Sequence, residues 1–135
     1  MGILKKILLT GGAGYIGSHI AVSLVEAGYE PIILDNFSNS DPKILAGINE
    51  LAGKKVTYYH ADCSLPETFD EIVSKEGEID GIIHLAAYKA VGESVQNPLK
   101  YYQNNLTSMW AMLDAMVRHK ISNLVFSSSC TVYGT

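Results

Sequence analysis

The sequence predicts an α/β fold, a Rossmann-like doubly wound parallel sheet in a three-layer αβα arrangement, and three observations carry that expectation. Short apolar runs alternate with helical patterns from Ile7 to Phe126, the rhythm of strand, helix, strand. The first run is followed at once by glycines three apart, Gly11, Gly14 and Gly17, and then by Ile16, Ile20, Leu24 and Ala27 at near-helical spacing. The second run, Pro31 to Leu34, ends in Asp35, 18 residues after Gly17. Right-handed crossovers between five such strands give the order 3-2-1-4-5.

A chain of 135 residues, 47% of them hydrophobic, is long enough for one domain with a proper core and too short for two ordinary ones. The net charge of −4, with no basic cluster larger than a lysine pair, recommends neither a nucleic-acid nor an anionic-membrane partner. No apolar stretch approaches the roughly 18 residues of a membrane span, and residues 1–6 lack a signal-peptide layout. Cys63 and Cys130 are isolated and lack metal-type spacing, which suits small buried thiols in a reducing compartment. The expectation is a cytoplasmic domain without a metal.

Taken in order, the first strand is Ile7 to Leu9, and the helix behind the glycines stops at Gly28, a natural left-handed C-terminal position. Tyr29-Glu-Pro31 leads into the second strand, and the polar loop Asp35 to Ser40 follows it. Ser40 or Asp41 caps a short helix with Pro42 at its start and Ile44, Leu45, Ile48 and Leu51 on one face. Val56 to Ala61 has the β-branched and aromatic content of a third strand, closed by Asp62. Leu65 to Lys75 forms a helix with Phe69, Ile72 and Val73 inward, and Ile79 to Ala87 is a fourth strand, nearly continuous in apolar residues as a strand covered on both faces should be. His84 within it reads as a hydrogen-bonded core histidine. Asn97 caps the longest helix, with Pro98 in its first turn, running to about His119. Its apolar residues, Met109, Trp110, Leu113 and Met116 among them, cover more than one stripe, which suits either core packing or a subunit interface. Ser122 to Ser129 is a fifth strand ending in three hydroxyls.

Ligands in such sheets bind at the carboxyl ends of the strands. The glycine turn, Asp35, Asp62, the segment after Leu85 and Ser127 to Ser129 all fall there. Gly11 allows the sharp turn off the strand, Gly14 leaves room for a pyrophosphate, and Gly17 lets the helix pack closely. The helix N-terminus then points free N–H groups and a partial positive charge at the anion. Asp35 would reach the ribose hydroxyls of a dinucleotide and, by repelling a 2′-phosphate, select NAD over NADP.

Particular motifs resemble one family. Thr10-Gly-Gly-Ala-Gly-Tyr-Ile-Gly-Ser-His19, Leu34-Asp-Asn36, Ile83-His-Leu-Ala-Ala-Tyr-Lys-Ala-Val-Gly-Glu-Ser94, Tyr101-Tyr-Gln-Asn-Asn105 and Phe126-Ser-Ser-Ser-Cys-Thr-Val-Tyr-Gly134 resemble the N-terminal part of UDP-glucose 4-epimerases, within the extended short-chain dehydrogenase/reductase superfamily. The resemblance covers essentially the whole chain. It implies that Tyr15 and Ile16 lie on the pyrophosphate of NAD and that Asp35, Asn36, Phe37, Ser38, Asn39 and Ser40 wrap the adenosine ribose. Asp62 and Cys63 would meet the adenine; Leu85, Ala86, Ala87 and Lys89 would pass beside the cofactor, with Ser127 near it, and Asn104 would reach it from the long helix. Ser129 would be the catalytic-site serine. Cys63 and Cys130 stand where the family usually has an aliphatic residue and an alanine.

The chemistry so implied is the interconversion of UDP-galactose and UDP-glucose through a 4-keto sugar, in galactose metabolism. A serine, a tyrosine and a lysine four residues after it serve proton transfer beside bound NAD. None of the seven tyrosines from Tyr15 to Tyr102 has a lysine four residues on. The tyrosine and lysine, and the sugar-nucleotide domain, are therefore expected outside this stretch, so that residues 1–135 by themselves form an inactive NAD-binding domain. Two alternatives stand beside the epimerase: another NAD-dependent sugar-nucleotide dehydratase or reductase, which resembles this region but with an acidic pair where Cys130-Thr131 stands, and a non-catalytic NAD-binding module. A homodimer through helix 97–119 is the expected assembly.

Overall fold

The computed structural model describes residues 4–87, 91–128 and 133. Ten elements run in order: β1 (Lys6–Thr10), α1 (Tyr15–Glu26), β2 (Glu30–Asp35), α2 (Ile44–Ala52), β3 (Thr57–His60), α3 (Pro66–Glu76), β4 (Gly81–His84), α4 (Val91–Gln96), α5 (Pro98–Arg118) and β5 (Leu124–Phe126). The strands are all parallel and ordered β3-β2-β1-β4-β5, as the alternation of elements predicts.

Successive strand residues point to opposite faces of a sheet, and the apolar runs supply both faces at once. Leu8, Ile32 and Leu34 join Phe69, Ile72, Met112 and Ala115 of α3 and α5 in one buried cluster. Leu9 and Ile33, one residue out of phase, join Ala21 of α1 and Ile48 of α2 in another. Helix α1 packs beside α2 and α3 beside α5, which completes the three layers. Arg118 and His119 both bond Asp70, tying α5 to α3, and Arg118 above all holds the Asp70 carboxyl below its usual range.

The C-terminus of α1 closes as the sequence predicts. Gly28 takes φ +87°, its N–H donates to Val25 O at 3.0 Å, and the N–H of Tyr29 donates to Leu24 O at 2.9 Å, a paired closure that satisfies the last carbonyls.

Elsewhere the boundaries move, for local reasons. Helix α2 starts at Ile44, not beside Ser40, because Asp41 spends its carboxylate on the Lys43 N–H and its carbonyl on Ile44, making a lead-in turn around Pro42. Leu51 is exposed, since the inward line of α2 runs through Ile44, Ile48 and Ala52. Asn97 occupies the cap position of α5 without a side-chain cap bond. Strand β4 ends at His84 because the next N–H groups, of Leu85 and Ala86, turn to Thr10. Strand β5 pairs only along that short neighbour, so it spans Leu124–Phe126 and not 122–129. The six-residue α4 has no counterpart in the sequence reading; Glu93 fastens it to α5 by accepting bonds from Lys100 and from the Tyr101 hydroxyl.

At the opposite end of the sheet from the glycine turn, Glu76 accepts a 2.7 Å bond from the Tyr59 hydroxyl, while Lys6 Nζ donates to the Glu76 carbonyl at 2.6 Å and carboxylate at 3.3 Å. Burial, then the bond to Glu76, pushes the Tyr59 phenol up to about 12. An unfolded tyrosine ionises near about 10, so the stability contributed by this group is complete below that pH and lost as the pH rises through the folded value. Absorbance titration should find one tyrosine ionising near pH 12. Glu76→Gln should lower that midpoint, and an unchanged titration would detach Tyr59 from Glu76.

Candidate dinucleotide cleft

At the carboxyl ends of the strands lies a cleft of about 310 Å³, and each part of its wall comes from a strand-to-helix junction or from α5. The turn after β1 gives Gly11, Gly14, Tyr15, Ile16 and Gly17. The end of β2 gives Leu34, Asp35 and Asn36, followed by Ser38, Asn39 and Ser40; the end of β3 gives Ala61, Asp62 and Cys63. Leu85, Ala86 and Ala87 follow β4, and Asn104 projects from α5.

The turn is shaped by contacts too close for side chains. Gly11 has φ +71°, and a Cβ there would stand 2.9 Å from the Ala86 nitrogen. A Cβ on Gly17 would stand 2.2 Å from the Gly11 carbonyl oxygen, well inside contact distance. Gly17 therefore packs on the turn itself, a tighter requirement than the helix-to-sheet packing expected of it. Gly14 differs: a Cβ there would meet only the Gly11 oxygen, at 3.3 Å. Its lack of a side chain keeps the cleft open more than it relieves the fold.

Helix α1 begins at Tyr15 with Gly14 as cap and no side-chain cap bond. Its first N–H groups have no intrahelical acceptor, so they present donors and the positive end of the helix dipole to the cleft. No lysine or arginine lines the cleft among the described residues. An anion here is met by backbone donors.

Asp35 lies at the other pole. Its Oδ2 accepts from the Ala13 N–H at 3.0 Å and its Oδ1 from the Phe37 N–H at 2.8 Å, so the carboxylate fastens the β2 loop to the glycine turn while each oxygen keeps a lone pair for a ligand hydroxyl. Ser40 Oγ is buried and has no hydrogen-bond partner among the described residues. A buried hydroxyl in the wall of a cleft is a group that a polar ligand would satisfy. Burial, then the charge of Asp62, pushes the Cys63 thiol up to about 11, so it lines the cleft as a neutral group.

Donors for an anion, an acid for a diol and an open wall between them fit a dinucleotide. Of the residues singled out from sequence, most line this one cleft. Phe37 does not: its backbone takes φ +56°, and its ring turns to His60, with centroids 4.9 Å apart, and to the apolar cluster beneath. Ser127 also stays off the wall, its N–H bonded to the His84 carbonyl at 3.3 Å. Lys89, Ser129 and Cys130 lie outside the described residues. Leu34 and Ala61 join the wall without having been singled out; they read as ordinary strand residues, and only strand order brings them to the edge.

Residues 7–135 match the NAD dependent epimerase/dehydratase family. Among curated relatives, the UDP-glucose 4-epimerase of Bacillus subtilis (strain 168) is 52% identical over 128 residues, covering 95% of this chain and 38% of the relative. That of Dictyostelium discoideum is 47% identical over 129 residues, 96% of this chain and 37% of the relative. Solved structures agree. The Bifidobacterium longum UDP-glucose 4-epimerase in complex with NAD+ and UDP superposes with a TM-score of 0.91 at 44% identity, over 97% of this chain and 39% of that one. The Stenotrophomonas maltophila enzyme, with bound NAD and formylated UDP-arabinopyranose, gives 0.92 at 39% identity, over 96% and 38%. The chain thus spans somewhat under two-fifths of the relatives it matches.

Two glycines separate the turn's requirement from ordinary helix propensity. Gly17→Ala in the complete protein should cost about 2 kcal/mol or more, since backbone oxygen must yield to the new carbon. Gly47→Ala, where nothing lies within 4 Å of the added carbon, should gain about 0.5–1 kcal/mol inside α2. Thermal unfolding measures both, and equal effects would refute the close contact.

Proposed function

The chain belongs to the NAD dependent epimerase/dehydratase family, and we propose that it is the NAD-binding domain of a UDP-glucose 4-epimerase that interconverts UDP-galactose and UDP-glucose in galactose metabolism. One observation carries this reading: a single cleft joins backbone donors at the α1 N-terminus to the Asp35 carboxylate, with the buried Ser40 hydroxyl in its wall from the loop after β2. Relatives at 52% and 47% identity with that activity support the choice of reaction.

In the proposed mechanism each residue has a limited task. The N–H groups of Tyr15 and Ile16 bind the pyrophosphate, and Asp35 accepts the ribose hydroxyls while its bond to Ala13 keeps the two sites in register. Asn104, in the cleft wall, orients the cofactor from α5. Lys89, from the segment after β4, would lie beside it. When bound, NAD supplies a reversible acceptor for hydride from C4 of the hexose. Ser129 belongs to the hydrogen-bond chain that moves the C4 hydroxyl proton, together with a tyrosine and lysine from the rest of the protein. The reading places the enzyme in the cytoplasm, with UDP-hexose as its substrate.

We also assign a second copy of the chain as partner of α5. Leu99, Tyr102, Leu106, Trp110, Leu113 and Val117 are exposed at steps of three or four residues, an apolar seam along one face. Met109 and Met116, expected in the same role, pack instead on the α3/α5 core.

Three measurements on the complete protein test these statements. Competition binding should favour NAD over NADP by about tenfold or more, because Asp35 opposes a 2′-phosphate; equal affinity would remove Asp35 from its role. Ser129→Ala should lower kcat by about 10²–10⁴ with NAD retained, whereas an unchanged kcat would exclude Ser129 from proton transfer. Sedimentation should show a dimer that Trp110→Asp converts to monomer; a wild-type monomer at micromolar concentration would refute the seam.

A further inference from the structure

Directly beneath the cleft, Thr10 and His84 form a buried polar pair, 0% and 3% exposed, at the place where the sheet's strand order turns back on itself. Thr10 Oγ1 lies 2.7 Å from His84 Nδ1. It also accepts the N–H of Leu85 at 3.2 Å and that of Ala86 at 3.3 Å, the Leu85 N–H being shared with the Thr10 carbonyl at 3.1 Å. A hydroxyl has two lone pairs and one hydrogen. With both lone pairs taken, its hydrogen must go to His84 Nδ1, so the imidazole accepts there and carries its proton on Nε2.

That fixed direction of donation ties three strands together. Leu85 and Ala86 are the cleft wall after β4, and a Cβ on Gly11 would stand 2.9 Å from the Ala86 nitrogen, so the Thr10 hydroxyl holds this wall against the glycine turn. On its other side the His84 ring stacks on Phe126 of β5, with centroids 6.2 Å apart and planes 17° from parallel, and the His84 carbonyl accepts the Ser127 N–H. The chain of contacts thus runs from the glycine turn, under the cleft, to the strand that leads toward Ser129. We propose that Thr10 and His84 are positioning residues for the cofactor: they set the spacing between the glycine turn and the wall after β4. The inference rests on the NAD reading above and deepens it.

Two pairs of variants of the complete protein, with NAD binding measured by calorimetry, test it. Thr10→Val and His84→Gln remove the bond, the second because a glutamine carboxamide reaches the Nε2 position and not the Nδ1 position. Thr10→Ser and His84→Asn keep it, since asparagine Oδ1 replaces the Nδ1 acceptor. The first pair should weaken NAD binding about tenfold or more and the second by less than about threefold, the loss of a buried hydrogen bond being of that order. Ile72→Ala, deep in the α3/α5 core, controls for stability alone: it should lower the unfolding temperature and leave NAD affinity unchanged.

Removal variants that bind NAD as wild type does would overturn the proposal, as would conservative variants that fall equally far. Wild-type protein that binds no NAD would instead refute the cofactor reading. Should the removal variants fail to fold, the imidazole nitrogen resonances of the wild type decide. They should show Nδ1 unprotonated and Nε2 protonated, and a proton on Nδ1 would break the chain of donation.

Discussion

The contact between Gly17 and the carbonyl oxygen of Gly11 is the constraint on which the cleft depends. With 2.2 Å between that oxygen and the position of a missing Cβ, the first turn of α1 can approach β1 only where no side chain exists. The approach brings the helix N-terminus over the edge of the sheet, where its unpaired N–H groups face the open wall left by Gly14. The positive φ of Gly11 lets the chain leave β1 sharply enough for this, with its N–H on the Leu34 carbonyl at 2.8 Å. That bond extends the β1–β2 pairing by one step, and with the Ala13 N–H on Asp35 it holds the end of β2 beside the turn.

Electrostatically the cleft works with few charges. Among the described residues its wall holds Asp35 and Asp62 but no cation, so an anion bound here would be met by oriented backbone dipoles. A cationic side chain in the turn would bind phosphate more indiscriminately. In the proposed reading the backbone arrangement fixes where the anion sits and Asp35 sets which ribose follows it. The same carboxylate is already fixed by two N–H groups before any ligand arrives, which lowers the ordering cost of binding.

Much of this was legible in the sequence because it depends on short spacings. Three glycines, an acid at the end of the second apolar run and strands alternating with helices specify the strand order and most of the cleft wall. What escaped depends on tertiary geometry. The ring of Phe37 turns inward because its backbone adopts a left-handed conformation that no pattern of polarity announces. Leu51 leaves the core line of α2, and the ends of β4 and β5 are set by where the Leu85 and Ala86 N–H groups go, which requires knowing that Thr10 lies beneath them. Helix α4 is only six residues long, and the Glu93 carboxylate that fastens it to α5 meets partners further along the chain.

Thr10 and His84 illustrate why such a pair stays hidden from sequence reading although its residues are plain to see. A threonine at the end of an apolar strand and a histidine within another each look like a core residue with a satisfied polar atom, and each is one. Their significance arises only when β4 lies beside β1 in the register that puts His84 opposite Thr10. Strand order thus does more than place ligands at the carboxyl edge. By bringing a hydroxyl, an imidazole and two N–H groups into one buried cluster, it places a satisfied polar network, which rigidifies what it joins, directly under the cleft.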